Sequence, residues 1–385
     1  MMRRLVAANI VLGEPLDFAI YDERGNLLLR KGFVVTMPDQ VERLLLRKAL
    51  VAGPDEEIEL QRRPVSVVLP ASPRPVAELE PVFDAVNGLV LNLKHALGTS
   101  LASPDQIDLP ERIGKLADTV QAFCQRDIDA VLAAPGLDFR NPYIIVHQVM
   151  GAVLTELVAA RKGISTEQRR SLVCAALTRD FGQLPMQAEL EKLTTPLSEL
   201  QREQLNAHPE RGVKMLERAG VDDPIWLEAV RFHHERLDGS GYPRQLNGDA
   251  IPIGARVLAV CDAYSAMSKP RAYRVKAYNP QQALRELFLS AGVLMDGELT
   301  QLLIREIGML PPGTIVRLKC GEIAVVKSPT QLAAAARVYS VYGKSGAVLG
   351  APVLRDASLP DFEITGMVPY SECRSAAVTI KRVWL

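Results

Sequence analysis

The sequence predicts a mainly α protein with a small N-terminal β-hairpin and helix module and a small C-terminal β-rich domain. Three observations carry that expectation. Apolar residues recur at helical spacing across most of 81–308, as in Val82, Val86, Leu89, Val90 and Leu93, then Ile113, Leu116, Val120 and Phe123. In PLDFAIYDERGNLLLRKGFVV two apolar runs flank Asp22-Glu23-Arg24-Gly25-Asn26, and Val41, Leu44, Leu45 and Leu46 follow at helical spacing. Beyond Pro311-Pro312-Gly313 the texture changes to short β-rich runs, TIVRLKCGEIAVV, ARVYSVYG and AVTIKRVWL, with a turn at Cys320-Gly321.

Prolines at 64, 70, 73, 75 and 81 exclude a helix interior and suit a semi-rigid connector. The expected organisation is therefore an N-terminal module over 1–62, a Pro-rich linker over 63–80, a helical connector over 81–135, a helical domain over 136–310 and a β-rich domain over 311–385. A break near Ser103-Pro104 splits the connector into two helices. The helical domain holds at least five or six helices, with stops at Gly182 and at Gly239-Ser240-Gly241. Within it DDPIWLEAVRFHHE opens well, since Asp222 or Asp223 can cap it and Pro224 suits a first turn.

Lys plus Arg and Asp plus Glu each total 45 of 385 residues, so no nucleic-acid duplex footprint is written into the charge balance. The five cysteines show no CxxC spacing, and MMRRLVAANIVLG has too short an apolar run for a secretory signal. No run of about eighteen consecutive apolar residues occurs. These features predict a soluble, reduced, cytoplasmic chain with no membrane span.

Four of the five histidines, His147, His208, His233 and His234, fall inside the helical domain, accompanied by Asp180 and Asp262. Imidazole and carboxylate hold divalent Fe, Mn, Zn or Ni, and facing helices can assemble such a site. Taken singly, each histidine is more simply a satisfied polar residue. Adjacent His233 and His234 lie about 100° apart on an ideal helix, so both face one centre only near a helix end. Gly239 and Gly241 supply that end.

The string HHERLDGSGYP resembles the signature of the HD-GYP family of cyclic di-GMP phosphodiesterases, within the HD phosphohydrolase group. His147, Arg179-Asp180 in LTRDFGQLP, Asn206-Ala207-His208-Pro209-Glu210, Asp262 in CDAYSAM and Arg271-Ala272-Tyr273-Arg274 follow the family's order. The resemblance implies an HD-type helical bundle in which two metal ions share a water that attacks the phosphodiester. It implies Asp180 as the bridging carboxylate, one metal on His208, His233 and His234, and the other on His147, Asp262 and the histidine of the HD pair.

That last histidine is Arg179 here. A guanidinium stays protonated and has no lone pair for a metal. Tyr143 replaces a carboxylate some members carry, which removes a third metal, and Gln183 replaces the phosphate-facing lysine. Arg271 and Arg274 match the family's basic pair and at i, i+3 can share one face toward phosphate, or stand as two solvated arginines. Gly241, Tyr242 and Pro243 read either as a tight turn with a packed aromatic or, by resemblance, as a docking surface for diguanylate cyclases and other signalling domains. Glu235 and Asp238 read as helix-end and turn residues.

Three functional expectations follow. The first is a degenerate HD-GYP protein with one divalent metal rather than two, little or no hydrolysis of cyclic di-GMP, and a sensing or scaffolding role disrupted as an enzyme by Arg179. The second is an active metal-dependent phosphodiesterase yielding pGpG or GMP. The third is a pocket that binds cyclic di-GMP through Arg271 and Arg274 without chemistry. Oligomeric state is left open.

Overall fold

The computed structural model describes residues 3–6, 9–21, 27–35, 41, 44–45, 49–51, 80–190, 193, 197–268, 279–330 and 336–385. The chain divides into two compact units, Met1–Leu79 and Glu80–Leu385. Residues 63–79 of the Pro-rich linker lie outside the described residues, as do Asp22–Asn26 and Leu46.

In the first unit, strands β1 (Arg3–Arg4), β2 (Ile20–Tyr21), β3 (Leu27–Leu29) and β4 (Leu50–Val51) make an antiparallel sheet in the order β1-β4-β2-β3. The hairpin read from the sequence is the β2–β3 pair, and the sheet extends beyond it. Ile20, Val35, Val41 and Leu44 are buried in a core of their own.

The second unit begins with α1 (Val82–Ala102), α2 (Leu109–Arg126) and α3 (Ile128–Gly136). The break at Ser103-Pro104 is where expected, but Asp127 starts a further helix by accepting the Ala130 N–H at 3.0 Å. Then follow α4 (Tyr143–Lys162), α5 (Thr166–Thr178), α6 (Leu184–Leu190), α7 (Glu199–Asn206), α8 (His208–Arg218), α9 (Pro224–Phe232), α10 (Ile253–Met267), α11 (Pro280–Ser290) and α12 (Gly297–Ile307). Asp223, rather than Asp222, caps α9, accepting N–H groups of Ile225 and Trp226.

Helix α4 is the axis of the bundle. It is long and apolar enough, by length and composition, to cross a membrane, yet 83% of its most apolar window is buried by the rest of the protein. Gly163, at φ 84°, terminates it in the left-handed conformation that favours glycine.

Strands β5 (Ile315–Leu318), β6 (Ile323–Val326), β7 (Arg337–Tyr342), β8 (Val348–Asp356) and β9 (Ile364–Met367) form an antiparallel sheet in the order β8-β7-β6-β5-β9. Alternation along the strands gives the sheet two buried faces. Ile315 and Val325 join the main helical core, whereas Val316, Ala324 and Val326 form a separate cluster on the other face. The segments read as 81–135, 136–310 and 311–385 thus all contribute to one core.

One reading is corrected. AVTIKRVWL is not a β run but α13 (Ala377–Lys381) followed by a 3-10 turn, Arg382–Trp384. Its apolar residues fit a helix: Ala376, Ile380, Val383 and Trp384 are buried at three- and four-residue spacing, which outweighs the β preference of Val, Thr and Ile. The ring of Trp384 stacks on Phe83 of α1 with centroids 5.2 Å apart, and Lys381 pairs with Asp84.

Gly182 falls in the break between α5 and α6, where the sequence places a stop, and it is also a point of close approach. It lies in the turn Phe181–Gln183, where a Cβ would fall 2.2 Å from the His208 carbonyl oxygen and 2.5 Å from the Gly212 nitrogen. Gly182→Ala is expected to destabilise the protein by about 1–3 kcal/mol through overpacking. Gly88→Ala, with nothing within 4 Å of the added carbon, should instead gain roughly 0.5–1 kcal/mol of helix stability. Denaturant midpoints of the two variants check both signs.

Candidate metal centre

Five segments of the second unit converge on one cluster. His147 comes from the first turns of α4, Arg179 and Asp180 from the chain leaving α5, and His208 from the start of α8. His233 and His234 follow the last residue of α9, and Asp262 lies in α10. Donor atoms of His208, His233 and His234 all lie within 4.8 Å of one another, and so do those of His147, Asp180 and Asp262.

The first triad is built to meet a cation. His208 Nδ1 lies 2.7 Å from the Leu205 carbonyl oxygen and His233 Nδ1 lies 2.7 Å from that of Val230. A carbonyl only accepts, so each Nδ1 carries the proton and each neutral ring turns a lone pair outward from Nε2. Those two Nε2 atoms face each other at 3.4 Å. Burial pushes the imidazoles toward the neutral form: His233 falls to about 4, and His208 and His234 also lie below the usual value. Two facing lone pairs on neutral rings call for a cation between them, which is how imidazole holds a divalent metal.

Asp180 stands between the triads. Its Oδ1 is 3.7 Å from His208 Nε2, and its Oδ2 is 3.7 Å from both His147 Nε2 and Arg179 Nε. Oδ2 is buried with no hydrogen-bond partner, although it is ion-paired with Arg179, and a metal ion could satisfy it. His208, His233, His234 and Asp180 therefore fit one divalent ion.

The second triad is already closed. Arg179 is buried, 1% exposed, and donates from Nε to Asp262 Oδ1 at 2.7 Å, from Nη1 to the Ala176 carbonyl at 2.7 Å and from Nη2 to the His147 carbonyl at 3.0 Å. His147 Nε2 lies 3.0 Å from the same Asp262 oxygen, an acceptor, so Nε2 turns its proton to the carboxylate and the lone pair is left on Nδ1, which is buried without a hydrogen-bond partner. Burial opposes ionisation of Asp262, but the Arg179 guanidinium and His147 hold its carboxyl well below the usual carboxylate range. The guanidinium has room because residue 151 is glycine: a Cβ there would lie 2.4 Å from Arg179 Nη1. The guanidinium thus lies against the second triad and shares the Asp262 oxygen with His147.

Around the cluster, Tyr143 stacks on His147 with centroids 5.2 Å apart. Gln183 Nε2 donates to Gln187 Oε1 at 3.3 Å. Gly241, Tyr242 and Pro243 fold back toward His234, whose ring lies 4.8 Å from that of Tyr242. Arg271 and Arg274 lie outside the described residues. Sequence reasoning missed two residues here: Gly151, which looks like any helical glycine, and Glu235, read as a helix-end residue. Glu235 is 4% exposed and accepts the N–H groups of Arg244 at 2.6 Å and Leu246 at 3.0 Å.

The depressed histidines make the metal-free protein acid-sensitive. A histidine whose folded pKa lies below its unfolded value of about 6.5 has no linkage effect above that pH, because both states are neutral. Below it the unfolded chain takes up the proton and the folded one does not, so stability falls toward the folded pKa. His233 alone, at about 4 when folded, would cost roughly 3 kcal/mol by that pH. Urea midpoints of the metal-free protein should hold steady above about pH 6.5 and drop below it. Flat midpoints down to about pH 4 would contradict the burial of neutral imidazoles.

Residues 132–299 match the HD domain family. The chain is 30% identical over 215 residues to a cyclic di-GMP phosphodiesterase of Pseudomonas aeruginosa, covering 55% of this chain and 50% of that protein. It is 30% identical over 209 residues to 3'3'-cGAMP-specific phosphodiesterase 3 of Vibrio cholerae, covering 53% and 45%. It is 35% identical over 153 residues to the cyclic di-GMP phosphodiesterase response regulator of Xanthomonas campestris, covering 39% of each. The chain thus spans about half or less of these curated relatives. Its fold is similar to that of an HDG"Y"P protein from Bdellovibrio bacteriovorus, with a TM-score of 0.50 and 16% identity over 79% of this chain and 98% of the other. Residues 132–299 thus carry an HD domain built around this cluster, and over this region the chain is similar to cyclic dinucleotide phosphodiesterases.

Proposed function

We propose that this chain is a cyclic di-GMP signalling protein that holds one divalent metal at Asp180, His208, His233 and His234 and hydrolyses its ligand weakly or not at all. It acts as a sensor or scaffold through its ligand pocket and the Gly241-Tyr242-Pro243 surface. The observation that carries the reading is Arg179. Each nitrogen of its buried guanidinium donates one hydrogen bond, to Asp262 and to the carbonyls of Ala176 and His147. A bound divalent ion supplies Lewis-acid stabilisation to a phosphodiester, and a pair of ions about 3.5–4 Å apart supplies it to both the attacking and the leaving oxygens. Arg179 engages the Asp262 carboxylate of the second half, and a fixed single charge stands there in place of a ligand.

The ligand class follows the relatives, which are named for cyclic di-GMP and for 3'3'-cGAMP. Both are cyclic dinucleotides, and cyclic di-GMP is the proposed ligand, with 3'3'-cGAMP the control. The intact triad of His208, His233 and His234 favours a second reading, an active phosphodiesterase that releases pGpG or GMP.

Metal analysis after reconstitution with Mn, Fe, Zn or Ni separates the two. The expected result is one ion per chain, no turnover of either dinucleotide, and loss of the ion in His208→Ala. Two ions per chain, or turnover of cyclic di-GMP that Asp180→Ala abolishes, would overturn the one-metal reading. Arg179→His with Gln183→Lys is expected to raise the stoichiometry to two ions. If that variant still takes one, Arg179 is not what closes the second half.

A further inference from the structure

We propose that residues 235–248 form a clasp that positions His234 for the metal, with Glu235 and Tyr242 as its positioning residues. This rests on reading His208, His233 and His234 as a metal site. The three rings are not held alike. His208 and His233 are each oriented by a bond from Nδ1 to a carbonyl three residues earlier. Among the described residues no such bond holds a ring nitrogen of His234. Its ring instead meets those of His233 at 4.1 Å, Tyr242 at 4.8 Å and His208 at 5.0 Å between centroids. Two of those neighbours are its fellow ligands, so Tyr242 is the contact that orients it from outside the site.

Tyr242 reaches that place because the chain doubles back. Its N–H donates to the His234 carbonyl at 3.2 Å, Gly239 donates to Arg236 at 2.9 Å, and Gly248 donates to Leu237 at 3.0 Å. The return strand is tied down by the buried Glu235 carboxylate, which takes the N–H groups of Arg244 and Leu246 and so satisfies two donors with one charge. Gly241 makes the turn sterically feasible: a Cβ there would lie 2.4 Å from the Arg236 nitrogen, 2.5 Å from the Glu235 Cα and 2.6 Å from the His234 carbonyl oxygen. The motif's glycine lets the backbone approach, its tyrosine orients a ligand ring, and the glutamate beside the histidine pair locks the loop shut.

A loop with a purely structural role would lower the stability of the metal-free protein and leave the metal affinity of the folded protein alone. A positioning role moves affinity, because groups that orient a ligand are typically worth about 10–100-fold in metal binding. The test is Zn2+ affinity by chelator competition, with metal-free unfolding midpoints measured in parallel, on the full chain and its variants. Tyr242→Ala and Glu235→Gln, the latter able to accept only one of the two N–H groups well, are expected to weaken Zn2+ binding about 10–100-fold. Tyr242→Phe, which keeps the ring, should retain the parent affinity. If the alanine variant fails to fold, Tyr242→Leu fills similar volume without a ring face and carries the same expectation. Parent-like affinity in folded Tyr242→Ala or Tyr242→Leu overturns the proposal, as does a loss in Tyr242→Phe equal to that in alanine. A parent chain that binds no Zn2+ overturns both this proposal and the metal reading beneath it.

Discussion

The ion pair between Arg179 and Asp262 is the constraint around which the centre of this protein is arranged. A guanidinium taken fully out of water is costly unless its charge is matched and its donors are filled. Here α10 supplies the carboxylate, α4 supplies a carbonyl and a glycine-sized gap, and the last turn of α5 supplies another carbonyl. Removing one member of such a buried pair leaves the other uncompensated, a loss on the order of 3–5 kcal/mol. The crossing of α4, α5 and α10 is therefore tied to Arg179, which lies against the second half of the site.

The two halves of the cluster differ in the sign of what they lack. Around Asp262 positive charge is already present, and the carboxylate is satisfied by Arg179 and His147. Around His208 and His233 two neutral nitrogens face one another, with Asp180 Oδ1 3.7 Å from His208 Nε2. Free imidazole lone pairs are thus concentrated at one end of the site and the Arg179–Asp262 ion pair at the other. Asp180, 3.7 Å from groups in both halves, feels each.

Much of this was legible in the sequence where one residue type has one physical use. Asp223 and Pro224 announced the start of α9, and the resemblance carried by HHERLDGSGYP implied a histidine triad, His208, His233 and His234, that the fold brings together. Arg179 was conspicuous because a ligand position cannot hold a guanidinium and a metal at once. What escaped depended on partners distant in sequence. Gly151 matters only because Arg179 lies over it, and Glu235 only because the chain returns at Arg244 and Leu246. AVTIKRVWL misled because its β-branched residues carry a strand preference, while burial against α1 and the sheet imposed a helix.

The stack of Trp384 on Phe83 bears on how the second unit comes into being. It joins side chains about 300 positions apart, and the core it seals runs from Val82 through the helices and the sheet to Trp384. A contact of such sequence separation closes a very long loop, which slows folding because the entropy is lost before the contact can offset it. The stretch 132–299 that matches the HD domain shares its core with Val82 and Trp384, which lie far outside it. The histidines that face a cation are thus backed by a core that includes the segment around residue 384.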